Sequence, residues 1–173
     1  ILKKKILIFR TDRTGDLLLS LPLIYTLKDT YINSSLHLVC SKSNYSFAKN
    51  IKIFEKILIF PLNNVLKKIN FIYDLVKIKY DIIIVLDGKN RSIFSSVFLK
   101  SSLKINKTSK KIHQYICKFF KIKYYHDSTD TNLAFIHQKM LDNVSVNKKI
   151  RNYDYLNKQN FISDFQNFDI ENF

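Results

Sequence analysis

"KKILIFRTDRTGDLLLSLPLIYTLKDTY", residues 4–31, is the stretch whose reading decides the fold. Lys4 to Arg10 is a short apolar run bounded by charge. It is too short for a helix and reads as a strand buried on both faces. From Asp16 to Tyr31, apolar residues recur at Leu17, Leu21, Ile24 and Leu27, one face of a helix. Pro22 falls inside that stretch and brings no N–H, so a kink or an early change of direction is expected there. A strand, a polar loop and a helix together open a βαβ unit.

The same alternation continues along the chain. Leu36 to Ser41 and Glu55 to Pro61 read as strands, separated by a short helix at best. Val65 to Lys79 has helical period, with Leu66, Ile69, Ile72, Tyr73 and Val76 on its apolar side. Tyr80 to Asp87 is the clearest buried strand. Arg91 to Lys100 and Lys110 to Phe120 read as helices, with "LKIN" (residues 103–106) between them as an edge strand. Thr129 to Leu141 carries Leu133, Ile136, Met140 and Leu141 at helical spacing. Strands alternating with helices imply an α/β fold, a doubly wound, mostly parallel sheet with helices on both faces. We place this domain at residues 1–144. Residues 145–173 turn polar and Asn-rich, and read as a linker or the start of a further domain. The chain opens on Ile1 and its 173 residues suffice for one ordinary domain, so it reads as a fragment.

Lys and Arg exceed Asp and Glu by 29 to 14, a formal net charge of +15. Such a balance points to phosphate-rich partners or an anionic membrane surface. Lysine supplies 25 of the 29 cations and is scattered, as is usual for a solvated surface in an A/T-rich coding background. Charge alone therefore favours an acidic partner without choosing one. Cys40 and Cys117 stand far apart with no CxxC, and read as buried thiols of a reducing compartment. No apolar run approaches the roughly 18 residues of a membrane-crossing helix. A cytoplasmic location is expected.

The chain holds only two glycines, Gly15 and Gly88, each following a predicted strand. Three of its four arginines flank them: Arg10 and Arg13 near the first, Arg91 near the second. In parallel α/β sheets, ligands bind outside the carboxyl ends of the strands. Glycine there permits positive φ and close backbone approach, and arginine offers a planar fork for phosphate or carboxylate. Tight turns alone also demand glycine, and the two accounts stand level for Gly88. Asp16 suits a first helical turn, and Asp12 or Thr14 suits the N-cap. Neither GxxxxGK[ST] nor GxGxxG occurs, so the first loop is no phosphate cradle by motif. The sequence also lacks HExxH and DxD, and His37, His113, His126 and His137 lack paired ligand spacing, so no metal is expected.

"ILIFRTDRTGDLLLSLPLIYTLKDTYINSSLHLVCSK" resembles the N-terminus of glycosyltransferase family nine, the heptosyltransferases of lipopolysaccharide core assembly. Arg10, Gly15, Asp16, Pro22 and Tyr31 fall in the family's order, with Ile32 where a proline is usual. "YDIIIVLDGKNRSIFSSVFLK" is similar to a second family block, although Asp87 and Gly88 are adjacent instead of spaced. "HDSTDTNLAFIHQKML" resembles a third, weaker block. The resemblance covers about residues 3 to 145. It implies the Rossmann-like, acceptor-binding N-terminal half of a two-domain GT-B fold, with the donor-binding half absent.

The resemblance further implies transfer of a sugar, heptose above all, from a nucleotide-diphosphate donor such as ADP-heptose, with inversion. No cofactor is implied beyond that co-substrate. The acceptor would be an acidic, lipid-linked glycan of the lipopolysaccharide core, met at the inner membrane surface. Asp16 would be the general base, while Arg13, Thr14, Gly15, Gly88 and Arg91 would bind acceptor or phosphate. Lys67, Lys68, Lys110 and Lys111 are further candidates for acidic groups, Lys110 and Lys111 equally a solvated helix start. Asp12 would shape the loop and His126 would serve domain packing. The fragment alone is expected to be inactive. Two other readings stay open: a basic, non-catalytic binding module for nucleic acid or a small phosphorylated ligand, and a free-standing flavodoxin-like domain with a small ligand. No nucleic-acid partner is expected, because no RNP, KH or helix-turn-helix signature appears. A transferase half would expose apolar surface where its second domain packs.

Overall fold

A computed structural model describes residues 3–126 and 133–144 of the chain. Its elements alternate strictly: β1 (Lys5–Arg10), α1 (Thr14–Thr30), β2 (Ser35–Cys40), α2 (Lys42–Ala48), β3 (Lys56–Ile59), α3 (Val65–Ile78), β4 (Ile82–Val85), α4 (Asn90–Phe98), β5 (Leu103–Thr108), α5 (Lys111–Phe119), β6 (Lys123–His126) and α6 (Leu133–Asp142). The six strands form one parallel sheet in the order β3-β2-β1-β4-β5-β6. This is the Rossmann-like order, with its switch point between β1 and β4. It differs from the flavodoxin order, which corrects that reading.

The period of two sorts the core into two layers. Ile6 and Ile8 of β1, with Ile82 and Ile84 of β4, pack against α1, α2 and α6. Leu7, Phe9, Ile83 and Val85 pack against α3 and α4. Both faces of β1, β2 and β4 are buried, so these strands read as continuous apolar runs. Helix α1 is anchored by Leu17, Leu21, Leu23, Ile24 and Leu27 and runs through Pro22 to Thr30, without the early change of direction. Past the proline, the Thr26 hydroxyl donates to the Pro22 carbonyl at 2.7 Å. Helix α6 closes the layer over α1, where the Tyr31 hydroxyl donates to the Val144 carbonyl at 2.7 Å.

Three expectations need correction. "LKIN" belongs to an interior strand, because β6 pairs outside β5 and forms the edge. Most of the apolar side assigned to α3 faces outward: Leu66, Ile69, Tyr73 and Val76 are exposed, whereas Ile72 of that side, with Phe71 and Leu75, meets the core. Gly15 lies within α1, not in the preceding loop. Residues 145–173, and residues 129–132 of the last expected helix, lie outside the described residues.

Candidate functional site

The carboxyl edge of the sheet gathers the loops after β1, β4 and β5. Arg10 ends β1 with its guanidinium fully buried. It donates from Nε and Nη2 to the Asp16 carbonyl at 2.9 and 2.8 Å, and from Nη1 to the Leu86 carbonyl at 2.5 Å. Its Nε stands 3.3 Å from Asp12 Oδ1 and its Nη2 3.7 Å from Asp16 Oδ1. Arg10 is therefore a clamp between the two loops at the switch point and presents no fork to a ligand.

Asp87 is the second organiser, a residue outside the sequence-derived site. Its Oδ2 accepts from the Thr11 amide at 2.9 Å, the Thr11 hydroxyl at 2.6 Å and the Ser92 hydroxyl at 2.6 Å. Its Oδ1 accepts from the Lys89 amide at 3.0 Å. Arg91 completes the link, donating from Nε to the Thr11 hydroxyl at 2.7 Å and from Nη2 to the Thr11 carbonyl at 2.5 Å. The β2–α2 turn braces the same loop. The Ser41 hydroxyl donates to the Asp12 carbonyl at 3.2 Å, and buried Asn44 donates to the Arg10 carbonyl at 3.2 Å while accepting from the Thr14 hydroxyl at 3.1 Å.

On this frame Arg13, not Asp12 or Thr14, occupies the N-cap of α1, with no side-chain cap. Its own side chain is exposed. Asp16 lies in the first turn with its side chain 41% exposed, open to a ligand yet within reach of Arg10. Asp12 is the more enclosed carboxylate, and its buried Oδ1 accepts no hydrogen bond. Burial pushes the Asp12 carboxyl above its ordinary value. Arg10 pulls it down, and the charges of Asp87 and Asp16 push it up again.

The two glycines differ. Gly88 has φ +60°, and a Cβ there would meet the Lys107 carbonyl and Ser109 at 3.5 Å. Gly15 lacks positive φ, and a Cβ on it would meet nothing within 4 Å. Positive φ thus explains Gly88 alone. Beside Gly88 opens a cavity of about 410 Å³, lined by Phe60, Lys68, Lys89, Arg91 and Lys110 among others. Helices α4 and α5 start at its wall, neither with a side-chain cap. These uncapped helix N-termini and the four cations favour an anion. A neighbouring cavity of about 320 Å³ shares Phe60 and Leu62 and adds Lys42 and Lys67. Asp16 lines neither cavity. His126 ends β6, its Nδ1 3.2 Å from the Thr108 carbonyl.

No family model matches the sequence, and no curated protein does. Solved structures do match the fold. The glycosyl transferase family 9 protein from Veillonella parvula superposes with a TM-score of 0.67 at 15% identity, over 84% of this chain and 42% of its own. Escherichia coli heptosyltransferase WaaC with ADP gives 0.66 at 15% identity, over 86% and 48%. Escherichia coli ADP-heptose lps heptosyltransferase II gives 0.53 at 16% identity, over 60% and 30%. The chain has the fold of the N-terminal half of a GT-B glycosyltransferase. It spans less than half the length of each of these proteins. The GT-B half-fold places all six sequence-derived site residues, Arg13, Thr14, Gly15, Asp16, Gly88 and Arg91, on the two loops and helix starts that flank the switch point.

Proposed function

We propose that this chain is the acceptor-binding half of an inverting glycosyltransferase, with Asp16 as general base. The reading is carried by Arg91, which lines the cationic cavity and bonds Thr11 in the loop leading to Asp16. An acidic acceptor held in the cavity would lie across the switch point from a half-exposed carboxylate. A sugar hydroxyl is a weak nucleophile, and Asp16 would take its proton as it attacks the anomeric carbon. The diphosphate leaves through an oxocarbenium-like state, as in inverting glycoside hydrolysis. Of the two loop carboxylates, Asp16 is the more accessible and Asp12 the more enclosed.

The donor is a nucleotide sugar. ADP-heptose is favoured by likeness to heptosyltransferase WaaC, solved with ADP and with ADP-2-deoxy-2-fluoro heptose. It would be met by a second half outside this chain. The acceptor is a phosphorylated, lipid-linked core glycan, and Lys68, Lys89, Arg91 and Lys110 would meet its anionic groups. The chemistry sits on the cytoplasmic face of the inner membrane. Asp16→Asn in the intact transferase tests the assignment: folding is retained and transfer from ADP-heptose falls about 10²–10⁴-fold. Transfer at the wild-type rate overturns it.

A further inference from the structure

The two helical layers differ sharply at their outer surfaces. Helices α3, α4 and α5 expose ten large hydrophobic residues, whereas α1, α2 and α6 expose only Leu19, Tyr45 and Phe135 among the described residues. Charge divides the same way. The first three helices carry six basic residues against one acidic, and the other three carry three of each. Apolar and cationic character therefore coincide on one side of the sheet.

The pattern holds within each helix. On α3, Leu66, Ile69 and Tyr73 recur at helical spacing and are 70%, 56% and 63% exposed, with Lys67 and Lys77 beside them. On α5, Tyr115 and Phe119 are 66% and 80% exposed, with Lys111 and Lys118 at the border of their stripe. Phe98 of α4, between the two, is 64% exposed. Soluble surfaces rarely gather this much apolar area on one face. Apolar stripes bordered by lysine are the signature of helices lying in a membrane interface, where lysine stems reach past the apolar surface to anionic headgroups.

We infer that the outer face of α3, α4 and α5 is a docking surface for an anionic phospholipid bilayer. A second domain of the same protein is a poorer occupant. The α3 stripe runs about 16 Å along the helix, from Val65 to Val76, away from the carboxyl edge where a donor half would face the site. A protein partner of ordinary composition does not account for the excess of cations, whereas an anionic bilayer matches both features. Docking in this pose lays the carboxyl edge of the sheet beside the lipid surface. The inference does not depend on catalysis, since plain phospholipid contains no acceptor.

Sedimentation of the 173-residue chain with vesicles tests it. Vesicles of 30% phosphatidylglycerol in phosphatidylcholine should bind at least tenfold more tightly than pure phosphatidylcholine. Ile69→Glu with Tyr73→Glu, both at exposed sites, should lower that binding at least tenfold with an unchanged circular dichroism spectrum. Phe135→Glu on the opposite layer should leave it unchanged. Equal binding to both vesicle types, or an equal loss in Phe135→Glu, overturns the inference. So does a dimer in light scattering that the double variant dissociates without any change in vesicle binding, because a second copy would then cover the face.

Discussion

The Asp87 carboxylate accepts both the amide and the hydroxyl of Thr11, at 2.9 and 2.6 Å, across 76 residues of sequence. The loop that leads to the proposed base is thus held by the loop that opens the cationic cavity. Asp87→Ala would strip the acceptor from Thr11, Ser92 and the Lys89 amide together. We expect a loss of about 3 kcal/mol, or roughly 6–12 °C in Tm, readable by thermal unfolding. A shift under 2 °C would show that the network contributes little.

Gly15 and Gly88 should respond oppositely to alanine. Gly15→Ala adds a Cβ in open space within a helix and should stabilise by up to about 1 kcal/mol. If a substrate approaches the backbone there, the same variant raises the acceptor KM in the intact transferase. Gly88→Ala forces alanine into the left-handed region and should destabilise by about 1–2 kcal/mol. Denaturant titration of the pair decides both signs.

Stability should fall as pH drops below about 6.5. Burial lowers the His37 pKa from its ordinary 6.5, and its ring bonds the Tyr80 hydroxyl at 2.8 Å and lies 3.0 Å from the Ser35 hydroxyl. Burial and then the charge of Lys110 lower His113 as well. A depressed folded-state pKa means that the unfolded chain binds more protons. The stabilisation is complete above about pH 6.5 and is lost as pH falls through 6.5 toward the folded value, by at most about 1.4 kcal/mol per pH unit per histidine. Urea midpoints at pH 7.5 and 5.5 test this, and His37→Gln should flatten the dependence.

Both thiols should be inert in the folded protein. Burial pushes Cys40 up to about 12, and it also raises Cys117. A disulfide-exchange reagent at pH 8 should label neither residue in buffer and both in guanidinium. Rapid labelling in buffer would contradict the packing of β2 and α5.

Much of this architecture is legible in sequence because β1 and β4 are buried on both faces and appear as unbroken apolar runs. Strand β6, "KYYH", is not legible in sequence, because an edge strand of four residues with exposed ends has neither run nor alternation. Helix α3 is legible by its period, but of the apolar side assigned to it only Ile72 meets the core. Leu66 and Ile69 look as suitable for a core as Leu75 and Phe71, and period alone cannot choose between two apolar sides. That Asp16, Arg91 and Gly88 stand at the carboxyl edge is legible from their place after predicted strands, whereas the role proposed for Asp16 comes from the resemblance and not from its position. The partnership of Asp87 with Thr11 is not legible, since nothing local marks a bond between residues so far apart.

That separation carries a consequence for biosynthesis. Arg10 bonds Leu86, Thr11 bonds Asp87, and Arg91 returns to Thr11, each over at least 76 residues. None of these contacts exists until β4 has left the ribosome and paired with β1, after the closure of a long loop. A nascent chain ending before Asp87 can form the early strands and helices, but it leaves Arg10 and Thr11 without their far partners. The site is therefore among the last parts of the sheet's first half to take shape, and its completion coincides with registration of the central strand.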